Sequence, residues 1–278
     1  MTTVRKTEKI ANAAKLASEW LRRPHALPEK WLYSLGLRST AGLRLPDFLG
    51  IGAQKAGTTW LHQNLQHHPD FYFPPHIKEI RFFDARFYMS PAQYAEFFAP
   101  AGDHFTGDIT PGYGALGVSR IRFIRKLLPD VKLVLILRNP IDRAWSHAVM
   151  DLADTKQRRV EDVPEWEFFA HFASPSARRN GSYVSILDRW LSVFPASALH
   201  VVFFESIRER PRELLTGILE HIGARTDVDW STFPYSDQIK PGLSAPLPDA
   251  FREHLRALYA DEIRGVADRL GGPAEAWR

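Results

Sequence analysis

The sequence predicts an α/β protein with a single three-layer domain, in which a mostly parallel central sheet is covered by helices on both faces. Strand-like apolar runs alternate with helical patterns, and no hairpin signal joins neighbouring strands. The first strand also runs directly into a glycine-containing turn that opens a helix, which is typical of a P-loop-like phosphate-binding loop. The 278 residues, 45% of them hydrophobic, are enough to bury one substantial core.

The spacing of apolar residues defines the elements in order. It predicts strands near 47–53, 104–108, 131–137 and 199–204, and helices near 58–67, 118–128, 140–151 and 207–222. Residues 153–180 are rich in charge and contain Pro164 and Pro175, so we predict a long loop there with at most one helix. Long insertions of this kind often shape a substrate site.

A basic N-terminal extension, 1–45, precedes the domain that we assign to 46–278. Residues 1–48 hold nine Lys or Arg and four Asp or Glu, whereas the whole chain has a net charge of +4. Apolar residues recur there at helical spacing: Ile10, Ala13, Ala14, Ala17, Trp20 and Leu21. Such a helix could lie on an anionic membrane or a partner, but we favour packing on the domain's own surface.

Composition excludes several classes of site. The chain has no cysteine, which rules out disulfides, thiolate metal sites and thiol nucleophiles and favours a reducing compartment. No apolar run reaches membrane-spanning length, so we expect a cytoplasmic protein. No basic-aromatic stripe outside the extension indicates nucleic-acid binding. The eleven histidines show no metal-ligand spacing with acidic partners, and we expect no metal.

The turn after the first strand has the features of a phosphate cradle. Gly57 permits a tight turn, the following helix N-terminus presents amides, and Lys55, Thr58 and Thr59 add a cation and hydroxyl donors. Gly52 and Gly57 have the spacing of a Walker A pair, but the lysine stands two places before the second glycine instead of directly after it. This predicts a ligand other than an ordinary nucleoside triphosphate.

The end of the third predicted strand indicates a second anion site. A magnesium-dependent NTPase places an acidic residue at such a strand end, whereas this chain has Arg138. Asn139 can cap and Pro140 can open a helix that carries Ser146 two turns along, on roughly the same face. Arginine and a serine hydroxyl together form a plausible clamp for a separate phosphate.

These two segments resemble the PAPS-dependent sulfotransferases, whose donor is 3′-phosphoadenosine 5′-phosphosulfate (PAPS). In that family a Lys-x-Gly-Thr-Thr-Trp loop binds the 5′-phosphosulfate, and an Arg-Asn-Pro segment followed by a serine binds the 3′-phosphate. The likeness covers roughly residues 46–270, through further segments at 78–84, 107–113, 183–191 and 199–206. The resemblance implies donor contacts from Lys55, Ala56, Gly57, Thr58, Thr59, Trp60, Arg138, Ser146, Tyr183, Lys240 and Gly242.

Some of these assignments have a simpler structural alternative. Trp60 could stack on adenine, as the tryptophan at this position does in the family, or it could be a core aromatic. Tyr183 could reach the donor or pack at a helix start. Lys240 and Gly242 stand where the family has a late basic loop on the 3′-phosphate, but Lys-Pro-Gly is also an ordinary turn.

Two residues carry the predicted chemistry. Lys55 is expected to stabilise the leaving oxygen, by analogy with phosphoryl transfer. The segment Lys78-Glu-Ile-Arg-Phe-Phe-Asp84 resembles the glycan sulfotransferases, including the heparan sulfate enzymes, and the resemblance makes Glu79 the catalytic base. The alternative for Glu79 is an ion pair with Lys78 or Arg81 on a solvated loop.

The acceptor side departs from both family patterns. Cytosolic small-molecule sulfotransferases use a histidine as base near the segment that here begins with Asp108, and Asp108 could substitute for it. Glycan enzymes often have a lysine where this chain has Ile109.

We therefore predict sulfuryl transfer from PAPS to a hydroxyl or amine of a carbohydrate or small metabolite, with a P-loop kinase or NTPase as the alternative. Four aromatic residues that could line the acceptor cleft would equally suit a lipid or an aromatic natural product: Phe73, Tyr88, Phe97 and Trp166.

Overall fold

One parallel sheet organises the fold. The computed structural model describes residues 29–30, 32–33, 37–235 and 245–278. The sheet has five strands in the order β2-β3-β1-β4-β5, and every neighbouring pair is parallel. The strands are β1 (Phe48–Gly52), β2 (Phe71–Tyr72), β3 (Phe105–Ile109), β4 (Lys132–Leu137) and β5 (Leu199–Phe203). The predicted fold class and the four predicted strands are confirmed, whereas β2 is too short for a periodic signal.

The strands in the middle of the sheet are buried on both faces. Every residue of β1 is buried, and only the first residue of β4 is partly exposed. A strand covered on both faces is apolar throughout instead of alternating, which explains why these two gave the clearest sequence signals.

Ten α-helices with both ends in the continuous ranges 37–235 and 245–278 surround the sheet. They are α1 (Thr58–Gln66), α2 (Pro91–Ala95), α3 (Val118–Leu127), α4 (Pro140–Val149), α5 (Glu165–Phe172), α6 (Pro175–Gly181), α7 (Tyr183–Leu191), α8 (Phe204–Glu209), α9 (Pro211–Ile222) and α10 (Asp249–Leu270). In the parts of the chain that the structure covers, no helix is both long enough and apolar enough to cross a membrane.

Prolines account for two wrong predictions. The helix predicted at 207–222 is two helices, because Pro211 lacks an N–H and begins a new helix after Arg210. The predicted loop 153–180 contains two helices, α5 and α6, instead of at most one. Pro175 is the first residue of α6, and the Ser174 side chain caps that helix by accepting from the Ala177 N–H.

Three predictions lie outside the described residues. They are the amphipathic helix between Ile10 and Leu21, and the donor contacts of Lys240 and Gly242.

Candidate active site

The predicted site segments meet at one edge of the sheet. In a parallel sheet all carboxyl ends lie on the same side, and the loops that follow β1, β3 and β4 carry Lys55, Thr110 and Arg138 respectively. The two predicted anion sites are therefore neighbours, although they are 83 residues apart in the chain.

Gly57 is required both by its conformation and by its neighbours. It is the N-cap of α1 with φ of 92°, in the left-handed region. A Cβ at this position would come within 2.5 Å of Ile207 Cδ1 and 3.1 Å of Phe204 Cδ2. The glycine thus allows α8 to pack against the loop, in addition to the tight turn that the sequence predicted. Lys55 also has a positive φ of 67°, so the loop is strained around its lysine.

Lys55 and Arg138 form a cationic pair. The Arg138 guanidinium donates from Nη1 to the Lys55 carbonyl oxygen at 3.1 Å. Burial lowers the pKa of Lys55, and the charge of Arg138 lowers it further, whereas Asp154 and Asp151 raise it. Burial also lowers the pKa of Arg138. Both cations are therefore held in surroundings that a bound anion would make more favourable.

Besides its contact with Lys55, Arg138 is held by Phe204 at its side chain and by Tyr183 at its backbone. Its guanidinium carbon lies 4.6 Å from the centre of the Phe204 ring, and its carbonyl oxygen accepts from the Tyr183 hydroxyl at 2.9 Å. Next to it, the Asn139 side chain caps α4 by accepting from the Ile141 N–H at 2.9 Å, as predicted. Ser146 follows on α4 and is partly exposed.

Tyr183 is a positioning residue in this arrangement. Its side chain is fully buried at the first position of α7, and its hydroxyl is committed to the Arg138 backbone. This matches the alternative in which Tyr183 packs at a helix start. The hydrogen bond adds a role that the sequence did not predict, because Tyr183 helps to position Arg138, the arginine predicted to bind the donor.

Trp60 is 3% exposed in α1, and its indole N–H donates to the Tyr235 carbonyl oxygen at 3.0 Å. This is what the core-aromatic alternative predicts for the residue.

Lys78 joins the cradle, which sequence reasoning missed. Its ammonium donates to Thr59 Oγ1 at 2.9 Å, lies 3.4 Å from Thr58 Oγ1 and is 3.5 Å from Glu79 Oε1. The Lys78–Glu79 ion pair, which was one alternative for Glu79, is therefore present, and the Glu79 side chain remains 36% exposed. A second lysine thus connects the phosphate loop to the candidate base, and its position directly before Glu79 was the available signal.

Asp108 lies in a buried hydrogen-bond hub instead of an open site. Its carboxylate accepts from the Tyr113 hydroxyl at 2.6 Å, the Thr110 hydroxyl at 2.7 Å and the Tyr94 hydroxyl at 3.0 Å, and the residue is 0% exposed. Burial raises the pKa of Asp108 to about 6, against these hydrogen bonds, which lower it. The geometry therefore favours Glu79 over Asp108 as the group that can reach an acceptor.

The Asp108 hub holds the segment that carries Glu79. Residues 80–83 lie outside helices and strands, yet hydrogen bonds hold their backbone in place. Three backbone N–H groups of the segment donate to hub residues: Ile80 to Asp108, Arg81 to the Thr110 hydroxyl at 3.2 Å and Phe83 to the Tyr113 hydroxyl at 3.3 Å. We infer that the hub fixes the position of Glu79. Ile109, where glycan enzymes often carry lysine, is fully buried beside this hub.

The Asp108 carboxyl makes stability depend on pH. A raised native pKa stabilises the fold below the unfolded pKa, and this contribution is lost as the pH rises through the native value. With a native pKa of about 6 against 3.8, we expect about 1.4 kcal/mol less stability at about pH 7.5 than at about pH 5 from this group. Urea unfolding of the wild type and Asp108→Asn at both pH values measures it, and the asparagine variant should lack this part of the slope. Equal slopes in the two proteins would contradict the expected titration.

The predicted cleft aromatics differ in their exposure and contacts. Phe73 packs edge-on against Phe48 and His62, whereas Trp166 is 53% exposed on α5. Tyr88 and Phe97 are partly buried.

A family model described as "Sulfotransferase domain" matches residues 45–231. Among curated proteins, the chain is 26% identical over 286 residues to the bovine bifunctional heparan sulfate N-deacetylase/N-sulfotransferase 2, which covers 84% of this chain and 31% of that protein. It is 30% identical over 210 residues to the mouse bifunctional heparan sulfate N-deacetylase/N-sulfotransferase 1, covering 67% of this chain and 23% of that protein. The chain thus spans less than a third of the length of these relatives.

Solved structures agree with the fold. A sulfotransferase from Alicyclobacillus acidocaldarius matches with a TM-score of 0.64 and 25% identity over 84% of this chain and 99% of that one. A mouse sulfotransferase complexed with PAP matches with a TM-score of 0.54 and 15% identity, covering 88% of this chain and 92% of that one, which supports the fold alone. Together with the family match across both predicted anion sites, these likenesses confirm the resemblance stated above: the chain belongs to the sulfotransferase domain family.

Proposed function

We propose that this protein transfers the sulfuryl group of PAPS to a hydroxyl or amine of a carbohydrate acceptor. The observation that carries the proposal is the proximity of the two predicted anion sites at one sheet edge, where Arg138 Nη1 donates to the Lys55 carbonyl oxygen at 3.1 Å. PAPS carries anionic groups at two separate positions, and an ordinary nucleoside triphosphate does not need the second site. The carbohydrate acceptor is supported by the names of the curated relatives, which are heparan sulfate N-sulfotransferases.

The residues divide the chemistry between them. The acceptor oxygen or nitrogen forms a bond to sulfur while the bond from sulfur to the phosphate oxygen breaks, and Glu79 takes the acceptor's proton. Lys55 stabilises the charge that develops on the leaving phosphate oxygen. The α1 amides, with the hydroxyls of Thr58 and Thr59, orient the phosphosulfate. Arg138 and Ser146 bind the 3′-phosphate.

Lys78 can interact with both the phosphate loop and the candidate base. Its ammonium is shared between Thr59 and Glu79, so it can keep the threonine hydroxyls oriented while it also neutralises the carboxylate. A bound phosphosulfate would compete with Glu79 for this lysine and leave the carboxylate freer to accept a proton.

Isothermal titration with 3′,5′-adenosine bisphosphate (PAP), AMP and magnesium-ATP tests the donor assignment. We expect PAP to bind at least about 100-fold more tightly than AMP, because a charge-assisted contact to the 3′-phosphate contributes about 1.5–3 kcal/mol and Arg138 and Ser146 each make one. Preference for magnesium-ATP would overturn the proposal in favour of the kinase alternative.

Arg138→Ala should remove this discrimination. We expect PAP affinity to fall by about 10- to 100-fold while AMP affinity changes little, because the lost contact is to the 3′-phosphate. Arg122→Ala is the matched control, since Arg122 is an exposed arginine on α3. Equal losses for PAP and AMP in Arg138→Ala would mean that the arginine acts on the loop backbone and not on the 3′-phosphate.

A further inference from the structure

A cluster of two histidines and one aspartate lies near Lys55 of the phosphate loop. His147 is on α4, Asp151 is in the short π-helix Met150–Asp154 that continues it, and His171 comes from α5. We call these three residues the His-Asp-His cluster. The sequence analysis expected no such grouping, yet His147 and Asp151 are four residues apart on one helical face, and the insertion folds back to add the third residue.

Two distances within the cluster are close to those between the ligands of a metal site. His171 Nε2 lies 3.0 Å and His147 Nε2 lies 3.3 Å from Asp151 Oδ2. One ligand atom from each residue can be chosen so that all three lie within 4.8 Å of one another. A tetrahedral zinc ion with bonds of about 2.0–2.1 Å separates its ligand atoms by about 3.3 Å, and the two distances to Asp151 Oδ2 are close to this value.

Burial distinguishes the two kinds of ligand. The His147 and His171 side chains are 3% and 9% exposed, whereas the Asp151 side chain is 42% exposed. The imidazoles are fixed inside the protein, and the carboxylate faces solvent. Three protein ligands with one open side is the arrangement of zinc sites that keep a water in the fourth position.

Neighbouring charges place the cluster next to the donor site. Lys55 acts electrostatically on both His147 and Asp151, and Ser146 directly precedes His147. The Gln54 side chain in the phosphate loop accepts from Asn180 at 3.2 Å, which connects the loop to the inserted helices. The open side of Asp151 therefore belongs to the same region of the surface as Lys55.

We propose that the His-Asp-His cluster binds one divalent transition-metal ion such as zinc, with water completing its coordination. Imidazole and carboxylate suit zinc, whereas magnesium and calcium prefer all-oxygen sites. This proposal is independent of the donor assignment.

The surroundings set the expected affinity. The Nδ1 atoms of both histidines are buried, and neither has a hydrogen-bond partner within the described part of the chain. Missing outer-shell acceptors weaken metal sites by about 10- to 100-fold. The cations Lys55 and Arg143 also oppose a metal ion there, so we expect a dissociation constant in the micromolar range.

Titration with Co²⁺ tests the proposal, because tetrahedral Co²⁺ has a visible d–d absorption and substitutes for zinc. The full chain is used without a histidine tag. We expect one equivalent of Co²⁺, displaced by Zn²⁺, in the wild type and in His67→Gln, whose exposed histidine is the matched control. His171→Gln and Asp151→Asn should each weaken binding at least about tenfold.

Thermal unfolding with and without Zn²⁺ measures the Tm of each protein and shows whether each variant is folded. Zinc should raise the Tm of the wild type and His67→Gln and leave that of His171→Gln unchanged. The proposal is overturned if the wild type shows no tetrahedral Co²⁺ spectrum at millimolar metal. It is equally overturned if folded His171→Gln and Asp151→Asn both bind Co²⁺ as the wild type does.

Discussion

Lys55→Met is expected to lower the turnover number by about 10³-fold while PAP still binds, because the proposed role of the Lys55 ammonium is to stabilise the charge that develops on the leaving oxygen. Lys55 is partly buried beside Arg138 in a strained turn, so its charge is pre-positioned and poorly screened by water. Methionine keeps the length and apolar stem of the side chain and removes only the charge.

The measurement is single-turnover conversion of PAPS to PAP with the best acceptor from a panel of carbohydrates, alongside titration with PAP. Lys126→Met is the matched control, because Lys126 is exposed near the end of α3, and the same chemical change there should leave turnover within about twofold. Unchanged turnover in Lys55→Met would remove the lysine from the mechanism, and complete loss of PAP binding would make it a binding residue only.

Lys78 does not replace Lys55 in this scheme. Its ammonium lies closer to Thr59 Oγ1, at 2.9 Å, than to Glu79 Oε1, at 3.5 Å, so it lies on the threonine side of the cradle. Its pKa is lowered, mainly by burial and against the effect of Glu79. The two lysines therefore belong to different segments: Lys55 lies within the phosphate loop, and Lys78 lies in the segment that carries the candidate base, Glu79.

The proximity of the two predicted anion sites follows from the parallel topology of the sheet. Once β1 and β4 are recognised as buried strands of one sheet, their carboxyl ends must share an edge, and Lys55 and Arg138 follow. No comparable rule links Asp108 to Tyr94, which precedes it by 14 residues in a short helix. The hub is specified by side-chain packing, and packing has no period that a sequence pattern can reveal.

The insertion shows the same limit. Pro164 and Pro175 suggested a loop, but proline also favours the first turn of a helix, and the prolines there precede or open helices. As a result, α5 places His171 next to Asp151, and this contact could not be predicted from the linear sequence. The residues that surround Lys55 on this side therefore became visible only with the structure.

Glu79→Gln is expected to lower turnover by about 10²- to 10³-fold with PAP affinity within about threefold of the wild type. Glutamine keeps the shape and removes the ability to accept a proton. The 36% exposed carboxylate can be reached by an acceptor, and it is held in place by the hydrogen bonds of residues 80–83 to the Asp108 hub. The same single-turnover assay measures it, and titration with PAP separates binding from chemistry.

Asp108→Asn decides between the two carboxylates. Asp108 is 0% exposed and accepts three side-chain hydroxyl bonds, so it can affect turnover only through the position of Glu79. We therefore expect any loss of turnover in Asp108→Asn to accompany a change in stability, because both follow from disturbing the hub. Glu79→Gln should lose turnover at wild-type stability, since its side chain supports no part of the core. The reverse pattern, with Glu79→Gln active and a fully stable Asp108→Asn inactive, would move the proton acceptor into the hub, and this would require the segment at 80–83 to open during the reaction.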